Sequence, residues 1–294
     1  MSAPAPCISV IVPVYNDWHR IPRLLGCLAA QILPTEQFEI LLIDNGSDSL
    51  EPPQGLAPNS RILHCDTPGS YVARNHGIEQ ARGHWLAFTD ADCRPAPDWL
   101  PKLLAQAHAT ADNSAPMTIL AGEVRMIASS ARPSTWEMHD LVKGIPQGWY
   151  VSRGYAATAT LFVPADLARQ LRGFDTRRYS GGDADFCRRA VAAGARLRYV
   201  EEAVVEHPAR STWPELAGKY RRIKGGQITQ GTTRQRLIWA IRTFLPPVIA
   251  WARFLRADAW PFRYRLTACM VQMRLWGLEM AETLRLLLRA GPQR

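Results

Sequence analysis

The segment HWLAFTDADCRP, His84 to Pro95, runs from a short apolar stretch straight into two carboxylates two residues apart. An apolar run of this length bounded by turn-forming residues fits a strand buried on both faces. Three similar runs precede it: CISVIVPVY from Cys7, FEILLID from Phe38 and RILHCD from Arg61. The segments between them have helical spacing. Asp17 to Gln31 places Ile21, Leu24, Leu25 and Leu28 on one face, and SYVARNHGIEQARG from Ser70 reads as a helix closed by Gly83 as a C′ residue. A further helix is expected from Pro97 to Ala109. Strand and helix therefore alternate from Cys7 to Ala109, which specifies an α/β layer with a mostly parallel central sheet. Ligands of such sheets sit outside the carboxyl ends of the strands. Asp44, Asp90 and Asp92 all fall at expected strand ends, so three carboxylates gather on one rim.

The next hundred residues are less regular. TILAGEVRMI and YAATATLFVPADL read as strands, DADFCRRAVAAGA as a short helix ending near Gly194, and RLRYVEEAVVEH as a strand. There is no internal repeat and no low-complexity tract.

The chain has 294 residues and is 47% hydrophobic, enough for one large domain and a substantial appendage. Its formal charge of +9 is unevenly placed. From Pro208 onward there are 16 basic and 4 acidic residues, a surplus of +12, whereas residues 1–207 carry −3. Such a tail suits an anionic surface. RLIWAIRTFLPPVIAWARFLRA is strongly apolar but holds Arg242, Arg253 and the pair Pro246–Pro247, so it falls short of the roughly 20 uninterrupted apolar residues of a spanning helix. LTACMVQMRLWGLEMAETLRLLLRA has an apolar face mixed with Arg and Trp, the composition of a helix lying in a membrane interface or packed in a helical hairpin. The tail is too apolar for an electrostatic nucleic-acid groove, and no nucleic-acid partner is expected. The six cysteines are scattered without a CxxC pair, and the amino terminus lacks the basic n-region of a secretory signal. Reduced thiols and a cytoplasmic location follow as expectations, with the tail allowing peripheral attachment to the inner face of the cytoplasmic membrane.

Asp90 and Asp92 have the chemistry of a metal site. In an extended segment, side chains at i and i+2 point the same way. Two carboxylates held together repel unless a cation neutralises them, and hard oxygen donors suit Mg²⁺ or Mn²⁺. A turn in which both aspartates cap backbone groups is the simpler reading of the pair taken alone.

The pair is one of an ordered set. PVYND follows the first strand, IDNGSDS the second, ARNHG lies in the next helix, and TDADCRP follows the fourth strand; GGDADFCRR and VVEH come later. In this the chain resembles a family 2 glycosyltransferase of the Rossmann-like GT-A fold, over about Ile8 to Glu215. The resemblance implies a GT-A domain over residues 1–215; the basic helical region over 216–294, read from its charge and apolar pattern, lies outside it. The resemblance implies a sugar moved from a UDP- or GDP-linked donor to an acceptor hydroxyl, with inversion; the membrane-suited tail adds the expectation of a saccharide or lipid-linked acceptor, in cell-surface polysaccharide or glycolipid synthesis. The resemblance also implies that Pro13, Tyr15 and Asp44 hold base and ribose, that Arg74 reaches the phosphates, and that Asp90 and Asp92 bind Mn²⁺ or Mg²⁺. Asp183 matches the general base, and His207 a late histidine that completes the metal site in some relatives.

Each of these residues also has a plainer reading. Tyr15 stacks on a base or covers the sheet edge. Asp44 bonds the nucleoside or caps the NGSD turn. Arg74 pairs with phosphate or with Asp90. Asp183 sits near a helix start, where Asp185 competes with it for the N-cap; if Asp185 caps, Asp183 is free to take a proton. His207 is a ligand or a core histidine, and Cys93 a small apolar filler. One departure stands out: the family's acidic pair is here Gly182–Asp183. It supports an alternative, a non-catalytic sugar-nucleotide-binding or scaffold protein. A dinucleotide-dependent oxidoreductase is disfavoured, since the first strand is followed by PVYND and not by a glycine fingerprint. A homodimer is compatible with the tail.

Overall fold

The computed structural model describes residues 6–49, 52–110, 117–288 and 291–292. The strands are β1 (Ile8–Val14), β2 (Phe38–Asp44), β3 (Ser60–His64), β4 (Trp85–Phe88), β5 (Arg94–Pro95), β6 (Thr118–Ile127), β7 (Leu161–Pro164) and β8 (Arg196–Pro208). The helices are α1 (Ile21–Ala29), α2 (Ser70–Gln80), α3 (Trp99–Thr110), α4 (Thr135–Lys143), α5 (Gln147–Val151), α6 (Ala165–Gln170), α7 (Gly182–Ala192), α8 (Trp213–Thr229), α9 (Thr233–Thr243), α10 (Val248–Leu255) and α11 (Phe262–Leu287). They form two compact units. One comprises residues 1–125, 145–176 and 182–207, and the other 126–144, 177–181 and 208–294.

In the α/β unit the strand order is β3-β2-β1-β4-β7-β6-β8-β5. β3, β2, β1 and β4 run parallel, with Val14 opposite Asp44 and Ile11 opposite Phe88. β7 pairs antiparallel with β4 and with β6, and β5 antiparallel with β8. β1, β2 and β4 read as unbroken apolar runs because helices cover both faces of the sheet, and nearly all their side chains are buried. Glu39, at the opposite end of β2 from Asp44, is buried and saturated. It accepts from Ser9 Oγ at 2.7 Å, from the Arg82 amide at 2.8 Å and from Arg61 and Arg82 guanidinium groups at 3.0 Å. That acid is a structural clasp.

Two expectations are corrected. Gly83 does not close α2, which ends at Gln80 with Ala81 already extended. Gly83 is there because the chain passes against β1, where a Cβ would stand 2.5 Å from the Ser9 backbone nitrogen. The strand expected over YAATATLFVPADL shrinks to β7: Thr158–Thr160 is a 3-10 turn, and Pro164, opposite Trp85, hands the chain to α6.

In the helical unit, capping boxes start three helices: Ser134 with Glu137, Thr212 with Glu215, and Thr232 with Gln235. Its core joins Leu216 and Tyr220 of α8 to Val271 and Leu275 of α11, flanked by Trp136 and Trp213. The guanidinium of Arg274 lies 4.0 Å from the Trp213 ring centroid. This unit recruits α4 from the middle of the sequence, so its compact limits differ from a single cut at residue 215. At Pro246–Pro247 the chain bends by 63° between α9 and α10. Among the described residues no single helix is long and apolar enough to cross a membrane, although the two helices of that bent pair together have the length and apolar composition of one span.

Candidate active site

The carboxyl ends of the parallel strands carry most of the polar chemistry of the α/β unit. Pro13 lies near the end of β1, opposite Ile43. Tyr15 follows and is 59% exposed, so its ring does not cover the sheet edge. The next residue, Asn16, holds a left-handed conformation and clips the loop after β1 to the loop after β2, through Asp48 Oδ2 at 2.9 Å and Ser47 Oγ at 3.0 Å. Asp44 ends β2. Burial opposes its charge, but hydrogen bonds from Ser47, Trp18 and Gly46 outweigh burial and hold its carboxyl below the ordinary range. Trp18 Nε1 donates to Asp44 Oδ1 at 2.9 Å. Asp44 therefore does cap its turn, as the plainer reading has it, while its place on the rim is kept.

Arg74 projects from α2 and is buried. Its Nη2 donates to Asp90 Oδ1 at 2.5 Å, and its guanidinium lies 5.9 Å from the Tyr71 ring centroid. Asp92, two residues on, stands 3.5 Å from Arg20 Nη1 and 3.8 Å from His207 Nε2. His207 is buried near the end of β8. Ligand atoms of Asp90, Cys93 and His207 lie within 4.8 Å of one another. Cys93 thus packs inside the rim. Burial, then the Asp90 and Asp92 charges, push its thiol well up, so it stays protonated and is a poor donor for a hard cation. Asp92 is not a member of that close triad and stands beside it through His207; an Asp90 carboxylate and an imidazole, with the Asp92 carboxylate next to them, are donors that suit Mn²⁺ or Mg²⁺.

Asp183 lies inside the first turn of α7. The helix starts earlier than the sequence pattern suggests, because Gly181 takes a left-handed conformation and the Gly182 amide donates to Tyr71 Oη at 2.9 Å. Asp185 is not the competing cap; its carboxylate accepts from Arg189 Nε at 2.8 Å. Asp183 Oδ1 accepts from the Ala184 amide at 2.9 Å. Burial raises the Asp183 carboxyl above its ordinary range and Asp90 adds to this, against the Ala184 amide and Arg74. A carboxylate raised in this way is a better proton acceptor.

The glycine that departs from the family's acidic pair has a steric cause. A Cβ at Gly182 would stand 2.7 Å from carbons of the Tyr71 ring. Tyr71 and Gly182 form one unit, 111 positions apart in sequence. Gly182→Glu is expected to lower stability by about 1–3 kcal/mol through overpacking. Combined with Tyr71→Ala, it should cost less than the two single changes added together. A thermal-unfolding double-mutant cycle checks this, and strict additivity would contradict it.

Besides Tyr71, sequence reasoning missed Trp18, Arg20 and Cys93 as members of the rim. The motif PVYNDWHR carried the signal for the first two, since it continues past Asp17 into an aromatic and a base.

An α/β sheet with this acid-lined carboxyl rim defines a GT-A-type enzyme domain, and comparison with known proteins places it further. The sequence profile described as "Glycosyl transferase family 2" matches residues 9–156. Glycosyltransferase AglE of Haloferax volcanii is 33% identical over 240 residues, covering 78% of this chain and 75% of that protein. The mannosyltransferase PcManGT of Pyrobaculum calidifontis, solved with GDP-Man and Mn²⁺, superposes with a TM-score of 0.57 at 15% identity, covering 97% of this chain and 88% of that one. S. aureus TarS residues 1–349, solved with UDP-GlcNAc, gives 0.51 at 17% identity over 95% and 80% of the two chains. At such identity these structures speak for the fold alone. The chain belongs to glycosyl transferase family 2 and is a glycosyltransferase on the GT-A fold.

Proposed function

We propose that this chain is an inverting, metal-dependent enzyme. It moves a sugar from a UDP- or GDP-linked donor to a hydroxyl of a saccharide or lipid-linked saccharide, in the synthesis of a cell-surface polysaccharide or glycolipid. The observation that carries the reading is the meeting of Asp183, Arg74, Asp90, Asp92 and His207 at the carboxyl rim of the parallel strands. Tyr15 stacks on the base, beside Pro13, and Asp44 accepts from the nucleoside. Arg74 turns from Asp90 to the donor phosphates. Asp90, Asp92 and His207 would hold a divalent ion, which when bound would supply positive charge to the leaving diphosphate. Asp183 takes the proton of the acceptor hydroxyl, whose oxygen attacks the anomeric carbon. The bond from that carbon to the diphosphate breaks, and the diphosphate leaves with the electron pair. One displacement without an enzyme nucleophile inverts the centre.

Proton NMR of transfer to water or to a simple hydroxyl acceptor tests the stereochemistry. The product first formed should have the anomeric configuration opposite to that of the donor; retention would contradict the scheme.

We assign transfer to residues 1–215 and attachment to residues 216–294, on the inner face of the cytoplasmic membrane. Most large apolar side chains that reach solvent among the described residues lie between Leu237 and Leu288, including Leu245 and Ile249 at the Pro246–Pro247 bend. Arg242 and Arg253 flank them. Replacing both Leu245 and Ile249 by Asp should reduce sedimentation with anionic vesicles by at least about tenfold, since each such side chain is worth roughly 1.5–3 kcal/mol when buried. Unchanged sedimentation would remove the attachment role.

A further inference from the structure

The helical unit contains a surplus of positive charge that its own acids do not neutralise. Asp140 of α4 is buried, and both its carboxylate oxygens are occupied. Lys219 Nζ donates to Oδ1 at 3.2 Å, and Arg210 donates to Oδ2 from Nη1 at 3.0 Å and from its backbone amide at 3.2 Å. Lys143, one turn along α4 from Asp140, joins this group without a carboxylate partner among the described residues. Its Nζ lies over the Tyr220 ring at 5.0 Å from the centroid, and the buried Tyr220 hydroxyl has no hydrogen-bond partner. Glu279 is the other acid that acts on Lys143, but it is engaged by Lys224 Nζ at 3.3 Å. Arg253 of α10 adds a further positive charge nearby.

Cations partly withdrawn from water cost free energy unless they are paired, and here Lys143 is half-buried while Lys219 and Arg210 keep 14% and 24% of their side-chain exposure, through which an oxyanion can reach them. One carboxylate facing three cations leaves that cost partly unmet. The strain shows in the group itself: burial, and then Lys143, push Lys219 down to about 7, and burial holds Lys143 below its ordinary range. The remaining donors are a guanidinium fork and two ammonium groups, a set that suits a multiply charged oxyanion.

We propose that Lys143, Arg210 and Lys219 of the helical unit form a seat for a phosphate or diphosphate group, built from residues that take no part in holding the sugar donor. Two sources share this chemistry, the headgroup of a phospho- or diphospho-lipid and a free diphosphate.

The test is calorimetric titration of the full chain with inorganic pyrophosphate, in metal-free buffer containing EDTA. Pyrophosphate should bind. Lys143→Gln should weaken binding by at least about tenfold, Lys143→Arg should restore most of it, and Arg74→Ala, which removes only a donor-site phosphate contact, should keep the Lys143-dependent binding. The free Lys143→Gln protein should melt no lower than the parent, because relief of repulsion among the clustered cations offsets the lost contact of Lys143 with the Tyr220 ring. Absence of binding, an unaltered affinity in Lys143→Gln, or loss of binding in Arg74→Ala would each overturn the seat. So would a lower melting temperature for Lys143→Gln, which would make Lys143 a structural partner of Asp140. Flotation with neutral vesicles carrying a long-chain diphospho-lipid then separates the sources. Flotation lost in Lys143→Gln identifies the lipid headgroup, and flotation absent from both proteins, with the titration intact, identifies the free diphosphate.

Discussion

Asp183→Asn is expected to lower the rate of sugar transfer by about 10²–10⁴-fold, the range supplied by a positioned general base, and to leave donor affinity within about twofold. The change is nearly isosteric. The amide oxygen can still accept from the Ala184 amide, so the first turn of α7 is preserved. What is lost is the ability to take a proton. If Asp183 is the base as proposed, the same carboxylate should set the acid limb of the rate: burial and Asp90 raise it, and transfer is expected to fall as the pH drops through that raised value. A steady-state comparison of kcat, with donor binding measured separately, checks both points. Intact turnover in Asp183→Asn would remove the residue from the chemistry. A large fall in donor affinity with an unchanged kcat would move it to the donor site.

The layer was legible because its strands are local and strongly patterned. β1, β2 and β4 are continuous apolar runs, and α1 repeats Ile21, Leu24 and Leu28 at helical spacing. The rim followed from the same reading, since parallel strands end where Asp44 and the Asp90–Asp92 pair stand. What the pattern could not give were contacts set by distant parts of the chain. The Trp18 to Asp44 bond, the neighbourhood of Cys93 and His207, and the Tyr71–Gly182 fit each need the finished sheet to bring their members together. The Tyr71–Gly182 fit also bears on the alternative of a non-catalytic protein. Gly182 was its main support, and packing against Tyr71 accounts for that glycine without any decay of the site. The helical unit shows a similar limit. Amphipathic spacing announces that α8 and α11 have an apolar face, but not that α4, from the middle of the sequence, helps to cover it.

The second large effect is expected at Asp92. It is a cleaner probe than Asp90, because Asp90 is the partner of the buried Arg74 guanidinium and its removal would leave that charge unpaired. Asp92 is partly exposed, and its neighbours Arg20 and His207 stand at 3.5 and 3.8 Å. Its loss should therefore be tolerated by the fold while removing a carboxylate from the proposed ion site. Loss of an outer-shell partner alone costs about 10–100-fold in metal affinity, so loss of a direct ligand should cost at least that much. The measurement is calorimetric titration of the purified chain with UDP and with GDP, each with and without Mn²⁺, repeated on Asp92→Ala. Mn²⁺-dependent binding of one of the two nucleotides is expected, which also identifies the donor base, together with its loss in Asp92→Ala. Binding of neither nucleotide, or binding that ignores both Mn²⁺ and Asp92, would contradict the proposed ion site.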